Sequence, residues 1–317
     1  MIRFVLRRMA SALFVMFSIS VLVFLIFFAT PGNDPAARIA GKNATPQTLK
    51  AVRHDFGLDR PLPVQYVLMM KKLFVTRDLT SYVNIGDRIL PQIVEAAPVT
   101  FSLVLGASVI WVLFAVGMGL VAAVFRGTAV DVMVMIVGLV GISMPVFWLG
   151  ILARYFLAEK NTWFPDGEYV PLTQDPFEWF WHLILPWFVL AVLFIGFYGR
   201  VLRGNILDTI NEDYVRTARA KGIAPRRVMA KHVLRNSLIP IVTLFGLDFA
   251  AVLGGGAILT ETVFDLHGVG QYAAQSIANF DLPPIIGVTL FGAFFIVFFS
   301  AVVDLAYAVL DPRIRPT

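Results

Sequence analysis

Hydrophobic residues in this chain gather into runs far longer than a soluble core needs. Six stretches are long enough to cross about 30 Å of hydrocarbon as helices, at residues 9–30, 98–124, 132–156, 181–202, 237–260 and 284–308. The fourth has the shortest uncharged core, Leu183 to Gly199, and Trp179, Trp181 and Trp187 around its start suit an interfacial aromatic belt. The fifth holds one charge, Asp248. The expected fold is therefore all-α: a polytopic membrane protein with six transmembrane helices. The first run follows a basic MIRFVLRRMA, like a secretory leader. Its length from Met9 to Ala29 and the missing small-x-small cleavage site predict a retained span instead.

Between the first two spans the pattern changes. Residues 31–97 mix charges and carry Pro31, Pro35, Pro46, Pro61, Pro63 and Pro91. Short helices are expected at Thr48–Phe56 and Val64–Phe74, packed on the outer face. The expected domains are 1–96 (first helix plus external segment), 97–310 (five helices with a loop at about 204–236) and a tail at 311–317.

Composition agrees with the pattern. The chain is 58% hydrophobic with mean hydropathy +0.78, and only 15% of it is charged, against about 25% in soluble domains. It has no cysteine, which excludes disulfides, iron–sulfur clusters and thiol chemistry. The net charge of +5 fits basic loops on one membrane face rather than nucleic-acid binding.

Lys and Arg placement orients the spans. Arg3, Arg7 and Arg8, then Arg126, then the cluster from Arg200 to Arg235, then Arg313 and Arg315 all fall on one side of a six-span chain. The opposite loops carry Glu159, Asp166, Glu168, Asp175 and Glu178 against Lys160, then Glu261, Asp265 and Asp281. Both termini are expected in the cytoplasm of a cell-membrane protein.

The most charged segment lies between the fourth and fifth spans. Topology alone explains its charge but not its length or order. Asp208, Glu212 and Asp213 precede Arg216, Arg219 and Lys221, so acids open a helix and bases close it. Thr209 or Asn211 is the expected cap. Gly222 suits the helix end and Pro225 the start of a second helix. Tyr214, Val215 and Ala218 are expected on one docking face.

These residues resemble a known family. Tyr214 to Gly222, read YVRTARAKG, with Arg227, His232, Arg235-Asn236 and Pro240, is similar to the cytoplasmic loop of ABC importer permeases, and more narrowly of the dipeptide/oligopeptide/nickel permeases. GLDRPLPVQY (57–66), GISMPVFWLGI (141–151), ETVFDLHGVGQ (261–271) and DLAYAVLDPRIR (304–315) extend the likeness over nearly the whole chain, in order. Arg216-Thr217-Ala218 stands where the general importer signature has Glu-Ala-Ala. The resemblance implies a type I ABC importer permease. Its ATPase-coupling residues would be Asp213, Tyr214, Arg216, Thr217, Ala218, Arg219, Ala220, Lys221, Gly222 and Arg227. Its partners would be a second homologous permease, two ABC ATPase subunits, an extracytoplasmic solute-binding protein and membrane lipid, without nucleic acid. Substrates would be di- or oligopeptides, with nickel chelates as the alternative. ATP and magnesium would bind the ATPase partners, leaving no cofactor in this chain.

The residues themselves point the same way. No G-x-x-x-x-G-K-[ST] loop exists, since Gly254, Gly255 and Gly256 precede Ala257 and Ile258. His54, His182, His232 and His267 are scattered, no H-E-x-x-H occurs and no nucleophile–base pair is visible. Pathway candidates are Asp248, Glu261, Met144 and Phe147. A mid-span carboxylate must face a cavity or a polar partner, so Asp248 either lines a route or bonds another helix. Glu261, Asp265 and His267 either meet an external binding protein or are solvated. Pro145 and Pro186 are expected to bend the third and fourth spans. Asp304 and Asp311 are expected to pair with Arg313 or Arg315. A stand-alone secondary transporter predicts paired intramembrane charges and an inverted repeat, and neither is apparent; a structural or signalling subunit needs no coupling loop.

Overall fold

The structure, a computed structural model, describes residues 2–29, 36–37, 45–55, 57–84 and 86–310, with side chains described from residue 9 to residue 303 except at 55. Arg3, Arg7 and Arg8, the pairing of Asp304 and Asp311, and the tail 311–317 fall outside those limits.

The first span is α1, Ile2–Phe28. The external segment contributes α2, Pro46–Asp55, and α3, Leu62–Lys71, which runs into a widened turn at Lys72–Thr76. Both lie close to the expected positions. α4, Ile89–Val124, has 36 residues and is about 54 Å long at 1.5 Å per residue. It begins nine residues before the span expected at 98. Pro98 sits inside it without breaking it, because neighbouring helices in a bundle compensate the freed backbone groups.

The third span is broken. α5, Ala129–Ser143, and α6, Val146–Ala153 with its extension Arg154–Glu159, are bent by 97°. Met144 and Pro145 between them are extended, as expected of a proline and the residue before it. α7, Pro176–Thr209, is continuous over 34 residues, starting where Asp175 Oδ1 accepts from the Phe177 and Glu178 N–H groups. Pro186 lies within it, so the expected bend there takes the form of an uninterrupted helix.

Two short helices follow: α8, Asp213–Ala220, and α9, Pro225–Val228, which continues through Met229–Leu234 and Arg235–Ser237. The fifth span is α10, Ile239–Ala251, prolonged to Gly256. It ends at Gly255, whose φ of 143° only glycine adopts without strain. Residues 257–260, expected inside the span, instead turn into α11, Ile258–Val263. α12, Val269–Ala278, and α13, Leu282–Leu310, complete the chain. Among the described residues the only bridge of β type is Thr80 with Arg88.

The long helices α4 and α7 form the most extensive helix pair, with α5 flanking α7; α10 packs on α13, and α1 covers α13. Leu103, Trp111, Leu183, Leu190, Leu253 and Phe264 fill the centre. Trp187, expected in an interfacial belt, is buried in this core and donates from Nε1 to the Ser102 carbonyl at 3.0 Å. A second cluster, including Phe24, Leu73, Leu79, Ile89 and Ile286, joins the external segment to α1 and α13. A third, including Leu202, Ile206, Val215, Val228 and Val233, seats α8 and α9 on the end of α7. Large apolar side chains such as Leu13, Phe14, Met133 and Val137 are exposed, as lipid or partner helices require.

Candidate functional site

The basic segment folds into a helix–turn–helix elbow at the end of α7. Its first helix has Glu212 at the N-cap position without a side-chain bond. The caps expected at Thr209 and Asn211 are therefore corrected: Thr209 ends α7, and Asn211 Nδ2 donates back to the Leu207 carbonyl at 3.0 Å. α7 simply runs further than the sequence pattern shows. Val215 and Ala218 are buried, but Tyr214 is exposed, so the docking face is narrower than the expected trio. Tyr214 instead accepts from Asn236 Nδ2 at 2.7 Å, tying α8 to the helical continuation of α9.

The turn between the helices needs glycine. Gly222 has φ 74°, and its N–H closes on the Arg219 carbonyl at 2.9 Å. Pro225 then opens α9. Behind the elbow, Ser237 Oγ bonds Thr209 Oγ1 at 3.1 Å and the Asn205 carbonyl at 3.2 Å, while Asn205 Nδ2 donates to the Ser237 carbonyl at 3.3 Å. The result is a two-sided device. Its underside is apolar and fixed to α7. Its open face carries Asp213, Arg216, Thr217, Arg219, Ala220, Lys221, Gly222 and Arg227, all exposed. Arg216 lies 3.5 Å from Asp213 on that face, and both side chains are largely solvated. Such a surface can bind a partner through charge and shape.

The other candidates separate. Asp248 Oδ2 accepts from Tyr198 Oη at 2.6 Å, linking α10 to α7, so the helix-bonding role expected of it is present. Met144 and Phe147 flank the α5–α6 break, the first half-buried and the second exposed. Glu261 is corrected: it is neither solvated nor open to an external protein, being 0% exposed. Thr100 Oγ1 donates to its Oε1 at 2.7 Å and the Gln271 N–H to its Oε2 at 2.9 Å, while Thr100 also accepts from the Val269 N–H at 2.9 Å. A Cβ at Gly268 would lie 2.4 Å from Oε2, so the loop closes directly over the carboxylate. Burial pushes the Glu261 carboxyl up, partly offset by these donors. Asp265 and His267 do remain exposed, 3.8 Å apart.

Three features escaped the sequence reading. Asp131, at the start of α5, is buried and receives Arg203 Nε and Nη2, both at 2.7 Å, as well as the Gly127 N–H at 3.0 Å. An acid opening an apolar run opposite an arginine near a span end was the available signal. Asp281, before α13, accepts from Ser81 Oγ and from the Tyr82 N–H at 2.9 Å. Burial, then the nearby Asp281 charge, push the Tyr82 phenol up. No local pattern marks a pairing across 200 residues. Arg154 donates from Nε to Asp166 at 2.5 Å and from Nη1 to the Val263 carbonyl at 2.6 Å, bracing α6 against α11.

Comparison with known proteins places this geometry. Residues 115–316 match the family described as binding-protein-dependent transport system inner membrane component, and residues 1–104 match the N-terminal domain of such membrane components. A putative peptide transport system permease protein of Brucella abortus (strain 2308) is 38% identical over 98% of both chains. A probable peptide ABC transporter permease of Sinorhizobium fredii is 38% identical over 98% of this chain and 99% of its own. A dipeptide transport system permease protein of Alkalihalophilus pseudofirmus is 33% identical over 99% of this chain and all of its own. Among solved structures, an amino acid ABC transporter crystallised with histidines superposes with TM-score 0.52 at 16% identity, covering 69% of this chain and 94% of that one, which establishes the fold alone. With spans, basic elbow and matches in agreement, the chain belongs to the binding-protein-dependent transport system inner membrane components, the multi-pass permeases of ABC importers.

Proposed function

We propose that this permease is one of two membrane subunits of an ATP-driven importer of di- or oligopeptides. The names of its relatives support peptides over nickel as cargo. In this reading the termini and the elbow face the cytoplasm, two ATPase subunits grip the elbow, and a solute-binding protein delivers cargo to the opposite face. ATP hydrolysis belongs to the ATPase partners, and alternating access to the permease pair.

The observation that carries the reading is the two-sided elbow. Moving a two-state pore from about 1:99 to 99:1 takes roughly 5.5 kcal/mol of differential interaction. An elbow packed on α7 by Val215, Ala218, Val228 and Val233 can transmit such a bias; a loose loop cannot. Asp213, Tyr214, Arg216, Thr217, Ala218, Arg219, Ala220, Lys221, Gly222 and Arg227 form its two helices and turn. Asp248, Met144 and Phe147 are assigned to the vicinity of the cargo route, and Glu261 to the support of its outer end.

Gly222→Pro tests this. Proline cannot adopt the φ of 74° at that turn. The expected result is normal membrane insertion with peptide uptake and peptide-stimulated ATPase activity both lost. Full uptake in a correctly inserted mutant would refute the coupling role.

A further inference from the structure

A second basic feature lies beside the elbow and takes no part in it. Arg203 is held by Asp131 through two 2.7 Å bonds, so that carboxylate is already neutralised. Arg200, three residues earlier on α7, is exposed and makes no ion pair among the described residues. Arg126, also exposed, lies near enough to act on the Asp131 carboxylate. Two arginines thus act on one acid, and Arg200 shares its groove.

A groove of about 420 Å³ opens at Arg200 and Arg203 and runs along α5. Asp131, bonded to Arg203, lines its charged end, and the rest of its wall is Val132, Met135, Ile136 and Leu139. From Val132 to Leu139 the helix rises about 10 Å at 1.5 Å per residue. Arg200 directly follows the uncharged core Leu183 to Gly199 of its span, which is the depth of lipid headgroups.

We propose that this groove binds an anionic phospholipid. Its phosphate sits on Arg200, and the first part of one acyl chain lies along Val132, Met135, Ile136 and Leu139. A guanidinium presents parallel donors that match phosphate oxygens. The apolar wall gives a free phosphate nothing, but it accepts a hydrocarbon tail. A protein helix in the same place must bring a carboxylate of its own to Arg200, whereas a lipid supplies charge and tail together. The inference rests on the permease reading only for the presence of a bilayer.

The test is native mass spectrometry of the full-length chain in detergent, offered phosphatidylglycerol or phosphatidylcholine. Wild type is expected to retain phosphatidylglycerol preferentially. Arg200→Gln should lower that retention about tenfold, the loss of one charge-assisted contact, with thermal stability unchanged. Met135→Trp, which fills the apolar half, should lower it without altering charge. Excess inorganic phosphate should not displace the lipid. Equal retention of the two lipids, or unaltered retention in Arg200→Gln, overturns the proposal. Displacement by phosphate points to a free-anion site and overturns it too. So does Met135→Cys cross-linking to a second copy or partner permease in native membranes, since the groove is then a protein interface. Lipid retention does not depend on uptake, so failure of the transport reading leaves these outcomes distinct.

Discussion

The two ends of the molecule are held together by different physics. At the end carrying Glu261 and Asp281, carboxylates are buried and bonded inside the chain: Glu261 to Thr100 and the Gln271 backbone, Asp281 to Ser81 and the Tyr82 backbone. At the elbow, the joint is apolar, with a few neutral hydrogen bonds, and the charged side chains project outward. Buried carboxylates with fixed donors allow one geometry and penalise every other. An apolar joint tolerates small sliding, and its free cations stay available to a partner. The contrast separates a braced end from a working end, the division that the proposed lever would need.

That contrast can be broken in order of expected effect. Glu261→Ala strands the Thr100 hydroxyl and the Gln271 N–H in a dry site, and should cost about 3 kcal/mol of stability. Thermal unfolding in detergent measures it, with Glu261→Gln expected to recover part of the loss; an unchanged midpoint in the alanine variant would remove the brace. Asp281→Ala unfastens the loop around Ser81 and Tyr82 from the start of α13, for about 2 kcal/mol. Limited proteolysis between Arg77 and Arg88 should accelerate, and a protected loop would contradict the latch. On the working end, Val215→Ala removes two methyl groups beneath the elbow at about 1 kcal/mol. Peptide-stimulated ATPase activity should fall more than thermal stability does; the reverse order would make the underside mere packing. Arg216→Gln is the smallest change to the fold, within about 0.5 kcal/mol, because its pair with Asp213 is solvated. Its effect should appear in the salt dependence of ATPase association, and an identical salt profile would argue that this face is not the docking surface.

Much of this architecture was legible along the chain. Apolar run lengths located five helices long enough to cross a membrane and, in the third run, the bent pair α5–α6, and acid-before-base order with Gly222 and Pro225 located the elbow. Both are local signals, written within one helix or one turn. What stayed hidden was pairing at a distance. Thr100 with Glu261, Ser81 with Asp281 and Asp131 with Arg203 are separated by 161, 200 and 72 residues, and no local rule pairs the partners, although Asp131 and Arg203 each stand at a span end. Glu261 therefore read as an outer-end acid, either solvated or open to an external protein. Prolines depend on distant neighbours in a related way. Pro98 and Pro186 stay inside unbroken helices while Pro145 divides one, because the neighbouring helices decide whether a lost backbone bond is tolerated. Trp187 read as a surface anchor, yet its indole N–H found the Ser102 carbonyl in the core.

The break between α5 and α6 carries a consequence for solitary existence in a bilayer. Neither half-helix alone reaches across the oily layer: α5, with 15 residues, rises about 22 Å at 1.5 Å per residue. The hinge residues Met144 and Pro145 are not sealed by this chain's own helices, and irregular backbone at such depth survives only against protein or in a watery vestibule. The bent crossing thus leaves the subunit a side that needs protein or water laid against it.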